Sequence, residues 1–178
     1  MQKKNKLFLV CVLTLFFFGC NFEKKENFKI VNCPDEIKKK AFSFAELYKD
    51  SDTLYELGGQ EPVRAIKIDC SGLVIMSYKY ALVDTEYSLI EADMTVNYMY
   101  NNAVEITDFP ERGDLIFMGE IGTDKITHIA IFDKEEDENI YFIDSTDNGI
   151  VDGVTERFYA KESEKFKAFG IMKLKIPE

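Results

Sequence analysis

Ile68-Asp69-Cys70-Ser71-Gly72-Leu73-Val74 lies where a loop gives way to a helix, and the rest of the chain can be read outward from it. After Cys70 the apolar and small residues Leu73, Val74, Ser77, Tyr78 and Ala81 recur at helical spacing, which predicts a helix from Cys70 to Leu82. Asp69 and Ser71 are residue types that cap a helix start. A cysteine at such a start faces unpaired N–H groups with partial positive charge, which favour a thiolate. The same donors can hold an oxyanion beside the sulfur. Taken alone, the stretch fits either a reactive thiol or a capped helix that buries an inert cysteine.

Upstream, Gly58-Gly59 and Pro62 mark a loop, and Ile37, Ala41, Phe44, Ala45 and Tyr48 place an amphipathic helix over Asp35 to Asp50. Downstream, a weaker helical pattern runs from about Ile90 to Tyr100. Past Pro110 the period becomes that of strands: Asp114–Met118, Ile126–Asp133, Ile140–Asp144, Val151–Phe158 and Ala168–Ile176. Asn148-Gly149 is a hairpin signal between two of them. Helices followed by strands give an α+β class, with N-terminal helices packed on an antiparallel sheet. The chain shows no internal repeat and no second domain.

Two strand residues extend the chemistry. His128 is the only histidine, in Thr127-His128-Ile129-Ala130-Ile131-Phe132, where it shares a face with Ala130 and Phe132. Asp144 lies on the next predicted strand, within reach of the far nitrogen of His128. Each has an ordinary reading as well, a hydrogen-bonded strand histidine and a strand-end aspartate closing a turn.

The 178 residues fit about one domain, with 46% hydrophobic and 30% charged residues. A formal net charge of −10 opposes general nucleic-acid binding, which needs a basic face. The N-terminus reads as an export signal. Lys3, Lys4 and Lys6 precede an apolar run from Leu7 to Phe18, followed by Gly19-Cys20. The run gives roughly 21 Å of helix against a bilayer core of ~30 Å, too short to span comfortably.

Asp69-Cys70-Ser71-Gly72-Leu73-Val74 resembles the D-C-S-G-L-V nucleophile motif of the NlpC/P60 family of cell-wall cysteine peptidases. Leu54-Tyr55-Glu56-Leu57-Gly58-Gly59 is similar to that family's P-Y-x-W-G-G loop. Arg112-Gly113-Asp114-Leu115-Ile116-Phe117 resembles its G-D-L-V-F strand, and Thr127-His128-Ile129-Ala130-Ile131-Phe132 its H-V-G-I-Y strand. Phe142-Ile143-Asp144-Ser145 corresponds to the strand holding the third polar residue. The sequence departs from the pattern at Leu57 for Trp, at Ala130 for Gly, and at Asp144, where the family more often has His, Asn or Gln. It has no clear counterpart of the L-P-R segment.

The resemblance implies a papain-like fold in which Cys70 is the nucleophile, His128 the base and Asp144 the orienting residue. It places Tyr55 beside the thiol as an oxyanion donor and Ser71 facing substrate. It implies a hydrolase without cofactor or metal, cutting peptidoglycan stem peptides between D-glutamate and the following diamino acid. Phe17-Phe18-Gly19-Cys20 likewise resembles a bacterial lipobox, which makes Cys20 a lipidation site and the protein a lipoprotein of the cell envelope. The expected organisation is then a signal peptide over 1–19, lipidated Cys20 and a tether over 20–33, and a catalytic domain over 34–178, monomeric and free of nucleic acid. Loss of residues 1–19 would take the charge to −13, since three lysines leave with them.

Cys33 and Cys70 would remain as thiols, or pair as a disulfide in an oxidising compartment. The first option is the one that leaves Cys70 free to react, with Cys33 a bystander. Cys33, Cys70 and His128 lack the paired spacing of a zinc site. Asp144-Ser145-Thr146-Asp147-Asn148-Gly149 begins like a calcium loop, but Thr155 stands where the bidentate Glu belongs. Two other classes compete with the peptidase: a catalytically silent lipoprotein that binds wall fragments or a host protein, and a thiol amidase or esterase acting on another acyl substrate.

Overall fold

The computed structural model describes residues 27–60 and 66–178. The expected signal peptide and Cys20 lie outside them. Two helices, α1 (Asp35–Lys49) and α2 (Cys70–Ala81), pack against one face of a mostly antiparallel sheet. Its strands are β1 (Phe28–Asn32), β4 (Ser88–Leu89), β5 (Val104–Thr107), β6 (Leu115–Gly119), β7 (Ile126–Glu136), β8 (Asn139–Asp147), β9 (Asp152–Ala160) and β10 (Phe166–Pro177). The order is β1-β10-β6-β7-β8-β9, with β4 and β5 also pairing with β10. A separate pair, β2 (Thr53–Leu54) and β3 (Ile66–Lys67), runs parallel beside the start of α2.

Alternation along the central strands divides the core in two. Leu115, Phe117, Ile129, Ile131 and Ile143 face the helices and meet Ala41, Ala45, Leu73, Val74 and Tyr78. Ile116, Met118, Ala130, Phe132 and Phe142 face the other way, against Tyr159, Phe166 and Phe169. Both faces are therefore buried, which explains why the strands carry apolar residues almost continuously.

One buried ion pair fastens α1 to the sheet. Lys38 and Asp114 are both almost wholly enclosed, and their charges lie 3.3 Å apart. Exposed Asp35 and Glu111 each approach the same ammonium at 3.0 Å. Burial opposes the Lys38 charge, but these three carboxylates outweigh it and raise its pKa. Burial raises that of Asp114. Gly113, beside it, has φ +96°, and a Cβ there would overlap the Lys38 carbonyl, so the Arg112-Gly113-Asp114 motif is an anchoring device.

Two expectations are corrected and one is borne out. Residues 28–32, read as tether, are a strand in register with β10, from Phe28↔Pro177 to Asn32↔Lys173. Its apolar residues Phe28 and Ile30 are half exposed, so no buried stripe marks these five residues as a strand, and they follow a Lys/Glu/Asn-rich stretch. The helix expected from Ile90 to Tyr100 is only one turn, α3 (Val96–Tyr98), running into a wider π-turn over Met99–Ala103. Thr95 caps that start by accepting from the Tyr98 N–H at 3.2 Å, so Ile90 and Met94 are buried from a loop. The Asn148-Gly149 hairpin is where the sequence places it: the ladder ends at Asp147↔Asp152, and Asn148 Oδ1 accepts from Ile150 and Val151 N–H, each at 3.0 Å.

Candidate active site

Cys70 is the first residue of α2, as its sequence predicts. Asp69 caps the helix: one carboxylate oxygen accepts from the Gly72 N–H at 2.6 Å and from the Ser71 hydroxyl at 2.9 Å. The other accepts from the Gly58 N–H at 2.8 Å, so a single side chain fixes both the helix start and the Gly58-Gly59 loop. Among the described residues the N–H groups of Cys70 and Ser71 have no protein acceptor, as first-turn donors of a helix usually do not. Gly72 is required by crowding, since a Cβ there would overlap the Gly59 carbonyl oxygen.

The strands bring the other groups to this helix end. β7 and β8 pair through Ile131↔Ile143 and Phe132↔Phe142, and extending that register sets Asp144 diagonally across from His128. Nε2 of His128 lies 2.6 Å from Asp144 Oδ2. The Cys70 thiol is the other group that acts on the imidazole, and with Nε2 on Asp144 the nitrogen left for it is Nδ1. Burial favours the neutral ring, but the Asp144 and Cys70 interactions outweigh it and push the His128 pKa up to about 9. The side chain of His128 keeps 22% exposure while that of Asp144 has none.

A cleft of about 540 Å³ runs over Cys70 and His128. Tyr55 lines it, and burial, then the nearby Cys70 and Asp69, raise its pKa and hold its hydroxyl proton in place. Its backbone N–H donates to Asp152 at 2.7 Å, which ties the loop to β9. Ser71 also lines the cleft, but its proton is committed to Asp69. The five sequence-predicted residues of the domain are thus brought together. The sixth, Cys20, lies outside the described residues.

Cys33 is buried in the core and free, and Cys70 is free as well, so the structure contains no Cys33–Cys70 disulfide. Burial raises the Cys33 pKa to about 12, which leaves that thiol inert.

Arg157 is a site residue that the sequence did not suggest. Its Nε donates to Asp144 Oδ1 at 3.0 Å and its Nη2 to Oδ2, a two-point grip on the carboxylate that orients His128. The guanidinium lies 5.5 Å from the Phe142 ring centre and 5.6 Å from that of Tyr159. The far wall of the cleft, Asp93 to Asn97, was also missed, and Gln60 reaches across to Asp93 at 2.7 Å. No motif marks that wall, because it is loop backbone followed by a single turn.

The family model described as the NlpC/P60 family matches residues 52–167. Among solved structures, a Staphylococcus aureus subsp. aureus Mu50 protein described as similar to lipoprotein, NLP/P60 family, aligns with a TM-score of 0.52 and 23% identity. That alignment covers 79% of this chain and 42% of that one, so this chain spans less than half the other's length. A second structure, Ly7917, aligns with a TM-score of 0.45 at 11% identity over 79% of this chain and 62% of that one. No curated protein matches the chain.

Proposed function

Because the chain belongs to the NlpC/P60 family, whose membership points to cell-wall peptidase activity, we propose that it is a cysteine peptidase of peptidoglycan stem peptides. The bond cut is the amide between D-glutamate and the following diamino acid. The observation that carries this reading is the junction of Cys70, at a helix start, with a histidine whose other nitrogen is held by buried Asp144 at 2.6 Å.

Cys70 acts as thiolate and attacks the amide carbonyl carbon, forming the C–S bond. Electron density moves to the carbonyl oxygen, which the N–H groups of Cys70 and Ser71 and the Tyr55 hydroxyl steady. The tetrahedral adduct collapses as His128 gives its proton to the departing nitrogen, leaving a thioester. Neutral His128 then takes a proton from water, the hydroxide oxygen adds to the thioester, and the sulfur leaves. Asp144 holds the ring in the orientation both half-reactions need. The cycle requires no cofactor or metal.

The same reading includes export and lipidation at Cys20, with the protein at the cell envelope as a monomer. With β1 beginning at Phe28, residues 21–27 could extend at most about 25 Å, holding the cleft near the membrane that carries the lipid.

The test is incubation of the protein with purified peptidoglycan and with L-Ala-γ-D-Glu-diamino-acid peptides, read by mass spectrometry. Cleavage after D-glutamate is expected, with Cys70→Ala and His128→Ala each reducing it at least 1,000-fold. Folded wild type that cuts none of these substrates would overturn the proposal in favour of another acyl substrate or a binding role.

A further inference from the structure

A second cavity, about 410 Å³, shares Thr127 and His128 with the cleft but is not lined by Cys70. Its wall includes Arg157, Tyr159, Lys165 and Glu120. Arg157 already grips Asp144, whereas Lys165 makes no ion pair among the described residues. The Lys165 ammonium donates to the Tyr159 hydroxyl at 3.2 Å and lies 4.3 Å from the centre of that ring. Arg157 Nη1 donates to the same hydroxyl at 3.0 Å. The phenol oxygen therefore accepts from two cations, and its own proton is left to be donated. Two cations converge on one neutral oxygen in a protein whose net charge is −10. Of the two cations, Arg157 has the Asp144 carboxylate as partner, and Lys165 has none among the described residues.

The position identifies which part of a substrate would supply one. His128 protonates the departing nitrogen in the mechanism above, and this cavity shares His128 and Thr127 with the cleft, so the released chain is the part of the substrate next to it. We infer that the cavity is a leaving-group subsite that binds a carboxylate carried by the released amine, with Lys165 as its charge partner and Tyr159 as a second donor. This rests on the peptidase reading and deepens it: the preferred substrate is one whose diamino acid side ends in a free acid. Glu120 on the same wall disfavours a polyanion and accommodates a carboxylate that travels with an amine.

The experiment compares L-Ala-γ-D-Glu-L-Lys with its C-terminal amide, titrated calorimetrically into full-length Cys70→Ala protein in detergent. The two peptides share every other charge, so the difference isolates one carboxylate. The free acid is expected to bind at least tenfold more tightly. Adding Lys165→Gln should erase that preference, and Lys165→Arg should keep it. Lys165 is partly exposed, so loss of fold is not expected, and the arginine variant controls for it. Equal affinity for the two peptides, no binding of either, or a preference that survives Lys165→Gln would each overturn the inference. The peptidase reading fails separately: wild type that cuts both peptides with the same KM removes the subsite alone. Wild type that cuts neither, while the acid preference in binding stands, removes the peptidase alone.

Discussion

Asp144 carries a negative charge into a fully enclosed site, and two side chains share it. Arg157 takes both oxygens and His128 takes one of them. Arg157 offsets much of the carboxylate's charge, so an acid can stand at this enclosed position. His128 is the only histidine, so its ring protons titrate by NMR without overlap, and the midpoint is expected near 9. A midpoint at or below the ordinary 6.5 would show that the hydrogen bonds do not outweigh burial. Stability has a definite sign here. A folded-state pKa raised from 6.5 to about 9 contributes stability that is fully present below pH 6.5 and lost as the pH rises through 9. Unfolding free energies of wild type and His128→Gln, from urea denaturation, should therefore converge by a few kcal/mol across that window. Cys70, His128 and Asp144 were legible because the stretches that hold them resemble the NlpC/P60 motifs, and His128 also because it is the only histidine. Arg157 was not, since it is an ordinary charge on a β-strand. Only the β8–β9 register, with Phe142 opposite Arg157, turns it toward Asp144.

The elements differ in how openly the sequence declares them. α1, α2 and the five long strands were readable from hydrophobic period alone, because each buries a continuous stripe or alternate faces. The segment from Ile90 to Ala103 mimics a helix in its apolar spacing, yet most of it is not one. Asn101 and Asn102 donate side-chain N–H groups to the carbonyls four residues back, at 2.7 and 3.1 Å. Those carbonyls are the ones an α-helix would use, and the competition accompanies the wider turn. At α1 the decisive feature is the enclosed Lys38–Asp114 pair rather than the exposed partners around it. Replacing Lys38 with Met should destabilise the fold by about 3 kcal/mol at pH 7, because it leaves Asp114 buried without its cation. The loss should shrink toward pH 5. Asp114 has a raised pKa even with Lys38 present, and it takes up a proton more readily without it. Urea denaturation at the two pH values checks this, and an equal loss at both would contradict it.

Across the whole molecule, the first and last strands of the described residues meet at β10. Its early residues pair with β6 and β5, and its last residues with β1 and β4. The sequence showed the sheet but not its closing strand, because Phe28–Asn32 is mostly exposed and looks like solvated linker. What makes it structural is its backbone. Five residues pair with β10, and the next N–H, that of Cys33, donates to the Met172 carbonyl at 2.8 Å. Without β1, β10 would present an open row of N–H and C=O groups from Lys173 to Pro177, an edge able to pair with another chain. Lys173 and Lys175 on that edge oppose such pairing without filling the lost hydrogen bonds. A protein starting at Cys33 should therefore melt at least 5 °C below one starting at Asn21, since about 1 kcal/mol shifts a domain of this size by roughly 2–4 °C. Its sedimentation should also become concentration-dependent. A tether would behave otherwise: its removal would leave the melting temperature within about 1 °C and the protein monomeric. A scan of thermal unfolding and a sedimentation series on the two proteins separate a five-residue strand from a leash, and the same pair of measurements reports whether the fold that carries Cys70 begins at residue 34 or at residue 28.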